Sequence, residues 1–238
     1  GQARLIPDLA ASGVAEWPTV TGPGQPLTVS WTISNLGSGP ATGHWVDSVY
    51  LSITPTLGPD ALRVAAIPNP GPIAAGAGYS TSQTVNLPAI PPGTYYVIVQ
   101  SDTRNQIHEG PFGANRSNNL ATAPSTVNLT IPRLVAGTSI EDRFTGPGQG
   151  RYYQIDVAPG QTLRLALDSA AGSGAQELYV RRGSLPNPTE FDFAAREFGQ
   201  ADQSLDIPMT AGGTYYVFVR TLHGAATMES FSLRATLP

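Results

Sequence analysis

The fold is decided by residues 27–33, which read Leu27-Thr28-Val29-Ser30-Trp31-Thr32-Ile33. Successive side chains of a β-strand point to opposite faces, so this period of two puts Leu, Val, Trp and Ile on one face. The opposite face carries Thr, Ser and Thr. The sequence therefore predicts a half-buried strand with Trp31 in the core, ended by the turn residues at 35–40.

Strands of the same kind, separated by turns, recur along the whole chain, and helical periodicity is almost absent. Further strands are predicted at residues 46–52, 81–87, 94–100, 125–131, 150–157, 162–167, 177–181, 203–207, 214–220 and 231–237. Short alternating strands between Gly- and Pro-rich turns are typical of β-sandwiches. The predicted fold class is all-β, with two tandem β-sandwich domains.

The boundary between the two domains is predicted near Ile131-Pro132-Arg133, where the last strand of the first half meets a proline. The domains then cover residues 1–131 and 132–238. Each half also contains the run Gly-Thr-Tyr-Tyr-Val, at residues 93–97 and 213–217. We predict one late strand in each domain at these positions, paired with the terminal strand of that domain.

The composition excludes several function classes. The 238 residues include no cysteine, and all 13 residues of the Lys and Arg total are arginine. Disulfides, thiolate metal sites, lysine Schiff bases and lysine-dependent isopeptide crosslinks are therefore excluded. A net charge of -4 gives no basic footprint for nucleic acid. No apolar run approaches the roughly 18 residues of a membrane span.

No pattern in the sequence predicts catalysis. The histidines at 44, 108 and 223 lack zinc-ligand spacing. The nearest approach to a nucleophile elbow, Gly172-Ser173-Gly174, has no strand-to-helix context. The carboxylates of residues 190–206 lie in one stretch, whereas glycosidases take their acid and base from different elements. We predict a non-enzyme, with no catalytic and no cofactor-binding residues.

The loop after Gln100 is rich in oxygen-bearing side chains. Calcium prefers hard oxygen ligands of this kind. The sequence therefore gives five candidate metal ligands: Asp102, Asn105, Glu109, Asn118 and Asn119. Asp and Asn also form Asx-turns and cap backbone groups, so structural capping and calcium binding both stay open. Calcium is the one candidate cofactor that the sequence offers.

The first 17 residues precede the first well-patterned strand and contain the apolar side chains Leu5, Ile6 and Leu9. An arm of this kind can add a strand to the sheet of a neighbouring subunit. We therefore predict these three residues as a strand-donating, partner-binding arm. Self-association into a homopolymer follows, and a head-to-tail contact that does not close gives a filament.

The aromatic residues have two interpretations. Trp31 alternates with core residues, but Trp17, Trp31, Trp45 and the tyrosine pairs are also a candidate platform for stacking sugar rings. Single exposed aromatic residues are common on protein surfaces. Under the platform interpretation, a polysaccharide or matrix component is the second candidate partner.

The first half resembles a known family. The residues that carry the resemblance are Pro7-Asp8-Leu9, residues 29–37, 45–52 and 93–97, Asp102, Glu109 and Asn118-Asn119. On these, residues 7–130 resemble a CARDB-type domain, the immunoglobulin-like adhesion-related domain of bacterial and archaeal surface proteins. One departure is Gly110-Pro111-Phe112-Gly113, where such domains often carry a second acid, which weakens the calcium hypothesis.

The second half resembles another family, on residues 151–155, 159–163, 177–181 and 213–217. Residues 134–236 are similar to the bacterial pre-peptidase C-terminal (PPC) domain, a jelly-roll-like β-sandwich. In that family the domain is appended to secreted peptidases and other exported proteins and is not itself catalytic. Both resemblances imply an extracellular or cell-surface location.

Two functions remain open from the sequence. The first is a non-catalytic extracellular structural or adhesion protein, a subunit of a cell-surface filament built by strand addition. The alternative is an accessory region of a larger secreted hydrolase that binds a polysaccharide or a protein fibre.

Overall fold

The computed structural model describes residues 4–69, 71–111, 115–169, 175–222 and 228–238. The chain divides into two compact units. The first unit comprises Gly1–Thr21, Leu27–Val85 and Gly93–Leu129, and the second comprises Gly22–Pro26, Asn86–Pro92 and Thr130–Pro238. The all-β fold class is confirmed, and the domain boundary between residues 131 and 132 stays a prediction.

The first unit contains two sheets. The three-stranded sheet has the order β1 (Leu9–Trp17), β3 (Pro26–Asn35), β6 (Gly78–Asn86). The five-stranded sheet has the order β2 (Val20–Thr21), β8 (Leu120–Leu129), β7 (Gly93–Gln100), β4 (Trp45–Ser52), β5 (Leu62–Asn69). A short 3-10 helix, Arg116–Asn119, lies between β7 and β8.

Strand β3 shows why this sequence forms a sandwich. Its alternate residues Leu27, Val29, Trp31 and Ile33 are at most 1% exposed, as the period of two predicts. Burying side chains of this size contributes about 1.5–3 kcal/mol each. Burial of one face only therefore fixes the register of the strand, since a slip by one residue would expose the whole set.

Strand β1, which begins at the predicted arm residue Leu9, belongs to a sheet of its own unit. Residues Leu9–Trp17 pair antiparallel with β3 of the same chain, from Leu9 opposite Asn35 to Trp17 opposite Thr28. A register shift between Ser12 and Ala15 interrupts the ladder. The backbone groups of β1 that face β3 are therefore engaged within this chain.

The second unit also contains two sheets, each of four strands. One has the order β10 (Gly150–Pro159), β15 (Ala211–Thr221), β12 (Gln176–Arg182), β13 (Phe193–Ala195). The other has the order β14 (Gln203–Ile207), β11 (Leu163–Ser169), β16 (Glu229–Thr236), β9 (Ser139–Phe144). Strands β10, β11, β15 and β16 supply most of its apolar core, and the Phe144 and Phe231 rings are in tilted contact with their centroids 5.1 Å apart.

The two Gly-Thr-Tyr-Tyr-Val strands have different neighbours. Strand β7 pairs with β8, the last strand of its unit, as predicted. The prediction is wrong for β15, which lies between β10 and β12, while the terminal strand β16 belongs to the other sheet. Among the described residues, no helix is long and apolar enough to cross a membrane.

Candidate functional site

The segment between β7 and β8 holds all five predicted metal ligands. Asp102 and Glu109 are buried to 1% and 0% exposure, and Asn119 to 3%. Asp47, on β4, is buried beside them at 1% exposure. Three carboxyl groups are therefore enclosed in this part of the first unit.

Asp102 organises the start of the loop. Its backbone is in the left-handed region at φ 45°, and its Oδ1 and Oδ2 accept the backbone N–H groups of Gln106 (2.7 Å) and Ile107 (2.8 Å). The backbone N–H of Asn105, itself at φ 53°, donates to the Asp102 carbonyl over 2.9 Å. These contacts form a tight turn in which the Asp102 carboxylate caps backbone N–H groups.

Glu109 joins the loop to the first strand. Its Oε1 accepts the backbone N–H of Leu9 at 2.6 Å, and its Oε2 accepts Asn119 Nδ2 at 2.8 Å. The Arg116 Nε atom lies 3.7 Å from Oε2. The carboxylate therefore fixes the point where β1 begins.

Asp47 anchors the end of β7. Its Oδ1 accepts the Ser101 hydroxyl at 2.9 Å and the Asp102 N–H at 3.3 Å, and its Oδ2 accepts the Tyr79 hydroxyl. Asp47 is not among the site residues that the sequence predicts. The signal was present, because Trp45, Asp47, Val49 and Leu51 alternate along β4 and so place Asp47 on the inward face.

Burial raises the pKa of all three carboxyl groups. For Asp47 the loss of solvation outweighs the hydrogen bonds from Tyr79 and Ser101, which lower the pKa. For Glu109, desolvation is again the largest cause, opposed by the donors Asn119 and Leu9, while the nearby Asp102 charge adds a further rise. Ionisation of these three carboxyl groups in the folded domain therefore costs more free energy than it does in water.

The calcium hypothesis concerns the same loop. Among the described residues, no group of three or more His, Asp or Glu side chains is placed to hold a metal ion. Asn118 Oδ1 and Asn119 Oδ1 are buried without a hydrogen-bond partner. Their amide nitrogens donate to different carboxylates, Asp8 and Glu109. The hydrogen bonds of Asp102, Glu109, Asn118 and Asn119 fit the capping interpretation, and calcium binding stays a prediction.

The three predicted arm residues are in different environments. Leu5 is 65% exposed, Ile6 is half-buried, and Leu9 is fully buried at the start of β1. The Ile6 carbonyl accepts the N–H of Gly39 at 3.1 Å, so the segment before β1 also packs on its own unit. Self-association stays a prediction, and donation of this segment to a partner would first require the Ile6 and Asp8 carbonyls to leave Gly39 and Leu36.

The three tryptophans do not form a common platform. Trp31 and Trp45 are each 1% exposed and belong to the core, whereas Trp17 is 73% exposed at the end of β1. Trp17 lies opposite Thr28, whose side chain is on the outward face of β3. The platform hypothesis is therefore corrected to a single exposed ring, Trp17, on the three-stranded sheet.

The two β-sandwich units correspond to two families. Residues 6–123 match the CARDB family model, and residues 149–221 match the family model of the bacterial pre-peptidase C-terminal domain. The chain therefore consists of a CARDB domain followed by a PPC domain. Both are non-catalytic accessory domains, and such domains are typical of extracellular proteins and secreted proteases.

One curated relative is the alkaline serine exoprotease A of Vibrio alginolyticus, 30% identical over 103 residues. The match covers 43% of this chain and 18% of the length of that relative. The PPC domain of the Bacillus anthracis collagenase is 14% identical with a TM-score of 0.38, covering 45% of this chain and 95% of that one. The CARDB domain of a Pyrococcus furiosus protein, solved in complex with di-metal ions, is 18% identical with a TM-score of 0.37. The match covers 52% of this chain and 90% of that one.

Proposed function

We propose that this chain is a non-catalytic accessory region of a larger secreted hydrolase and that it binds the insoluble substrate of that enzyme. The observation that carries the proposal is the tandem of a CARDB and a PPC domain, together with the similarity to a serine exoprotease of which the chain matches only 18%. An extracellular location is part of the same proposal.

The described residues support a binding role in place of a chemical one. The buried carboxylates Asp47, Asp102 and Glu109 all accept structural hydrogen bonds and lie away from solvent. An accessory domain that holds a catalytic domain on an insoluble substrate raises the effective concentration of the substrate at the catalytic domain, and it does so without contributing a catalytic group. Rigid sheets with exposed faces suit this task, because little ordering is required on binding.

A filament subunit is the other function that the sequence predicts, and we place it second. The strand that it would donate is β1, which already makes a seven-residue register with β3. Exchange would therefore have to break an existing ladder before forming a new one.

Co-sedimentation tests the proposal. The purified chain is mixed with microcrystalline cellulose, insoluble chitin and fibrous collagen, with serum albumin as the non-binding control. Retention of the chain on at least one of these materials, above the albumin background and saturable with concentration, supports the proposal. A chain that stays in the supernatant with all three, or that forms fibres in electron micrographs instead, contradicts it.

A further inference from the structure

The outward face of the three-stranded sheet is lined by hydroxyl groups. Strands β3 and β6 alternate, and the residues of the face that point away from the core carry Ser or Thr at seven positions. We call this set the hydroxyl face: Thr28, Ser30, Thr32, Ser34, Ser80, Ser82 and Thr84. Its inward counterparts on β3 are the core residues, at most 1% exposed.

The hydroxyl groups form pairs across the two strands. Thr28 Oγ1 lies 2.7 Å from Thr84 Oγ1, and Thr32 Oγ1 lies 2.8 Å from Ser80 Oγ. In each pair one hydroxyl donates to the other, which leaves one free hydrogen and several lone pairs directed to solvent. Side chains on one face repeat about every 6.8 Å along a strand and about every 4.8 Å across strands. The face is thus a regular array of groups that can both donate and accept.

The third strand of the sheet, β1, contributes small side chains and one large ring. Ser12 lies opposite Thr32 and Ala15 lies opposite Ser30, so the relief of the face stays low over most of its area. Trp17 lies opposite Thr28, at the end of the same row as the Thr28–Thr84 pair. An indole ring that is 73% exposed therefore borders the hydroxyl array.

The face carries no charge. Strands β1, β3 and β6 contain a single charged residue, Glu16, and its side chain is buried and accepts the Ser125 hydroxyl at 2.5 Å. A surface without charge offers nothing to an anionic or cationic polymer beyond what water offers. Its occupant is therefore expected to be neutral.

We infer that the hydroxyl face together with Trp17 is a docking surface for a neutral polysaccharide chain. The flat apolar face of a pyranose ring stacks on the Trp17 indole, and the hydroxyl groups of the following rings exchange hydrogen bonds with the Ser and Thr array. A polymer of neutral sugars matches all three properties of the surface: it is uncharged, extended, and alternates apolar ring faces with hydroxyl edges. The assignment rests on the proposed function, since it names the substrate class and the residues that hold it.

The test compares the intact chain with variants by depletion binding to microcrystalline cellulose and insoluble chitin. Trp17→Ala is expected to weaken binding roughly 30-fold, the loss typical of an aromatic hot-spot residue. Thr28→Val with Thr84→Val keeps the shape and β-branching but removes the hydroxyl pair, and it weakens binding as well. Binding of the intact chain is unchanged by 1 M salt, because no charge pairs are involved.

Two matched variants serve as controls. Phe198→Ala removes a ring that is 98% exposed in the PPC domain, and Thr94→Val alters an exposed threonine of β7, outside the hydroxyl face. Both are expected to bind like the intact chain. Trp17 is the exposed one of three tryptophans, so a soluble oligosaccharide of the retained polymer should also protect it from acrylamide quenching.

The outcomes separate this inference from the proposed function. If the chain binds cellulose or chitin and Trp17→Ala binds equally well, the surface assignment is overturned and the accessory function stands. Retention on collagen alone also overturns the surface assignment and leaves the accessory function standing. If none of the three materials retains the chain, the proposed function fails and the inference fails with it.

Discussion

At the scale of single residues, the buried Glu109 carboxylate connects two parts of the CARDB domain that are distant in sequence. It accepts the N–H of Leu9 at one oxygen and the amide of Asn119 at the other. Both donors are buried, so neither can turn to water if the acceptor is lost. The energetic cost of such a loss is that of leaving a buried donor unsatisfied, about 1–3 kcal/mol each.

We therefore expect Glu109→Ala to lower the free energy of unfolding of the CARDB domain by about 3 kcal/mol. Urea unfolding followed by tryptophan fluorescence measures this free energy of unfolding, because all three tryptophans lie in the CARDB domain. Asp60→Ala removes an exposed carboxylate and should change the value by less than about 0.5 kcal/mol. Equal effects of the two substitutions would show that the Glu109 contacts do not stabilise the domain.

The raised pKa values predict how stability depends on pH. A carboxyl group with a higher pKa in the folded chain binds more protons when folded, so its contribution is complete below the unfolded-chain pKa. That contribution is lost as the pH rises through the raised value. For Asp47, Asp102 and Glu109 the unfolded values are 3.8, 3.8 and 4.5. The free energy of unfolding should therefore fall as the pH rises from about 4.

Glu109→Gln isolates one contributor to this pH dependence, since a glutamine at this position does not titrate. Urea unfolding of the intact chain and the variant is compared at several pH values between about 4 and 7. We expect a shallower decline in the variant. Parallel curves for the two proteins would contradict the raised pKa of Glu109.

At the residue scale the sequence left capping and calcium binding open, and capping is the interpretation that depends on local partners. Asp102 and Asn105 belong to a turn whose partners lie within five residues, and the capping interpretation describes them. The partner of Glu109 is the backbone of Leu9, 100 residues away, and no local pattern records that pairing. The alternation of β4 indicates that Asp47 faces inward, but Asp47 is not among the predicted site residues.

At the scale of secondary structure elements, β1 depends on its bulge. Gly13 has φ +61°, in the left-handed region, and a Cβ built there would contact only Thr32 Oγ1, at 3.8 Å. Steric space is therefore adequate, and the constraint is the backbone conformation itself. A residue with a side chain in this region costs about 1–2 kcal/mol.

Gly13→Ala is thus expected to destabilise the CARDB domain by about 1 kcal/mol in the same urea assay. Gly58→Ala is the matched control, because Gly58 is outside the left-handed region and a Cβ there would meet nothing within 4 Å. A Gly13→Ala protein as stable as the control would mean that the bulge does not require a glycine.

The contrast between β3 and β1 shows what makes a strand predictable. Strand β3 is buried on one face along its whole length, so its sequence alternates without interruption. Strand β1 reads Leu-Ala-Ala-Ser-Gly-Val-Ala-Glu-Trp, in which small residues and a bulge break the period of two. Its pairing therefore emerges only from the three-dimensional fold, and the sequence favoured an unpaired arm.

At the scale of the whole molecule, the two domains combine separate stable cores with an exposed, neutral sheet face. The CARDB domain presents the hydroxyl face and Trp17, and the PPC domain has its own core of strands from both of its sheets. The absence of cysteine and lysine from the sequence means that this chain uses no disulfide and no lysine crosslink. Its stability must come from sheet pairing, core packing and buried hydrogen bonds such as those of Glu109.

The central claim, an accessory region that holds an enzyme on an insoluble substrate, is tested most directly by a fusion. A hydrolase catalytic domain active on the material that retains this chain, which is cellulose, chitin or collagen, is assayed alone, joined to this chain and, where the material is a polysaccharide, joined to the Trp17→Ala chain. The account predicts a several-fold higher rate for the fusion on the insoluble polymer, no change on a soluble substrate, and loss of the gain with Trp17→Ala. Equal rates for the free and fused catalytic domains on the insoluble polymer would contradict it.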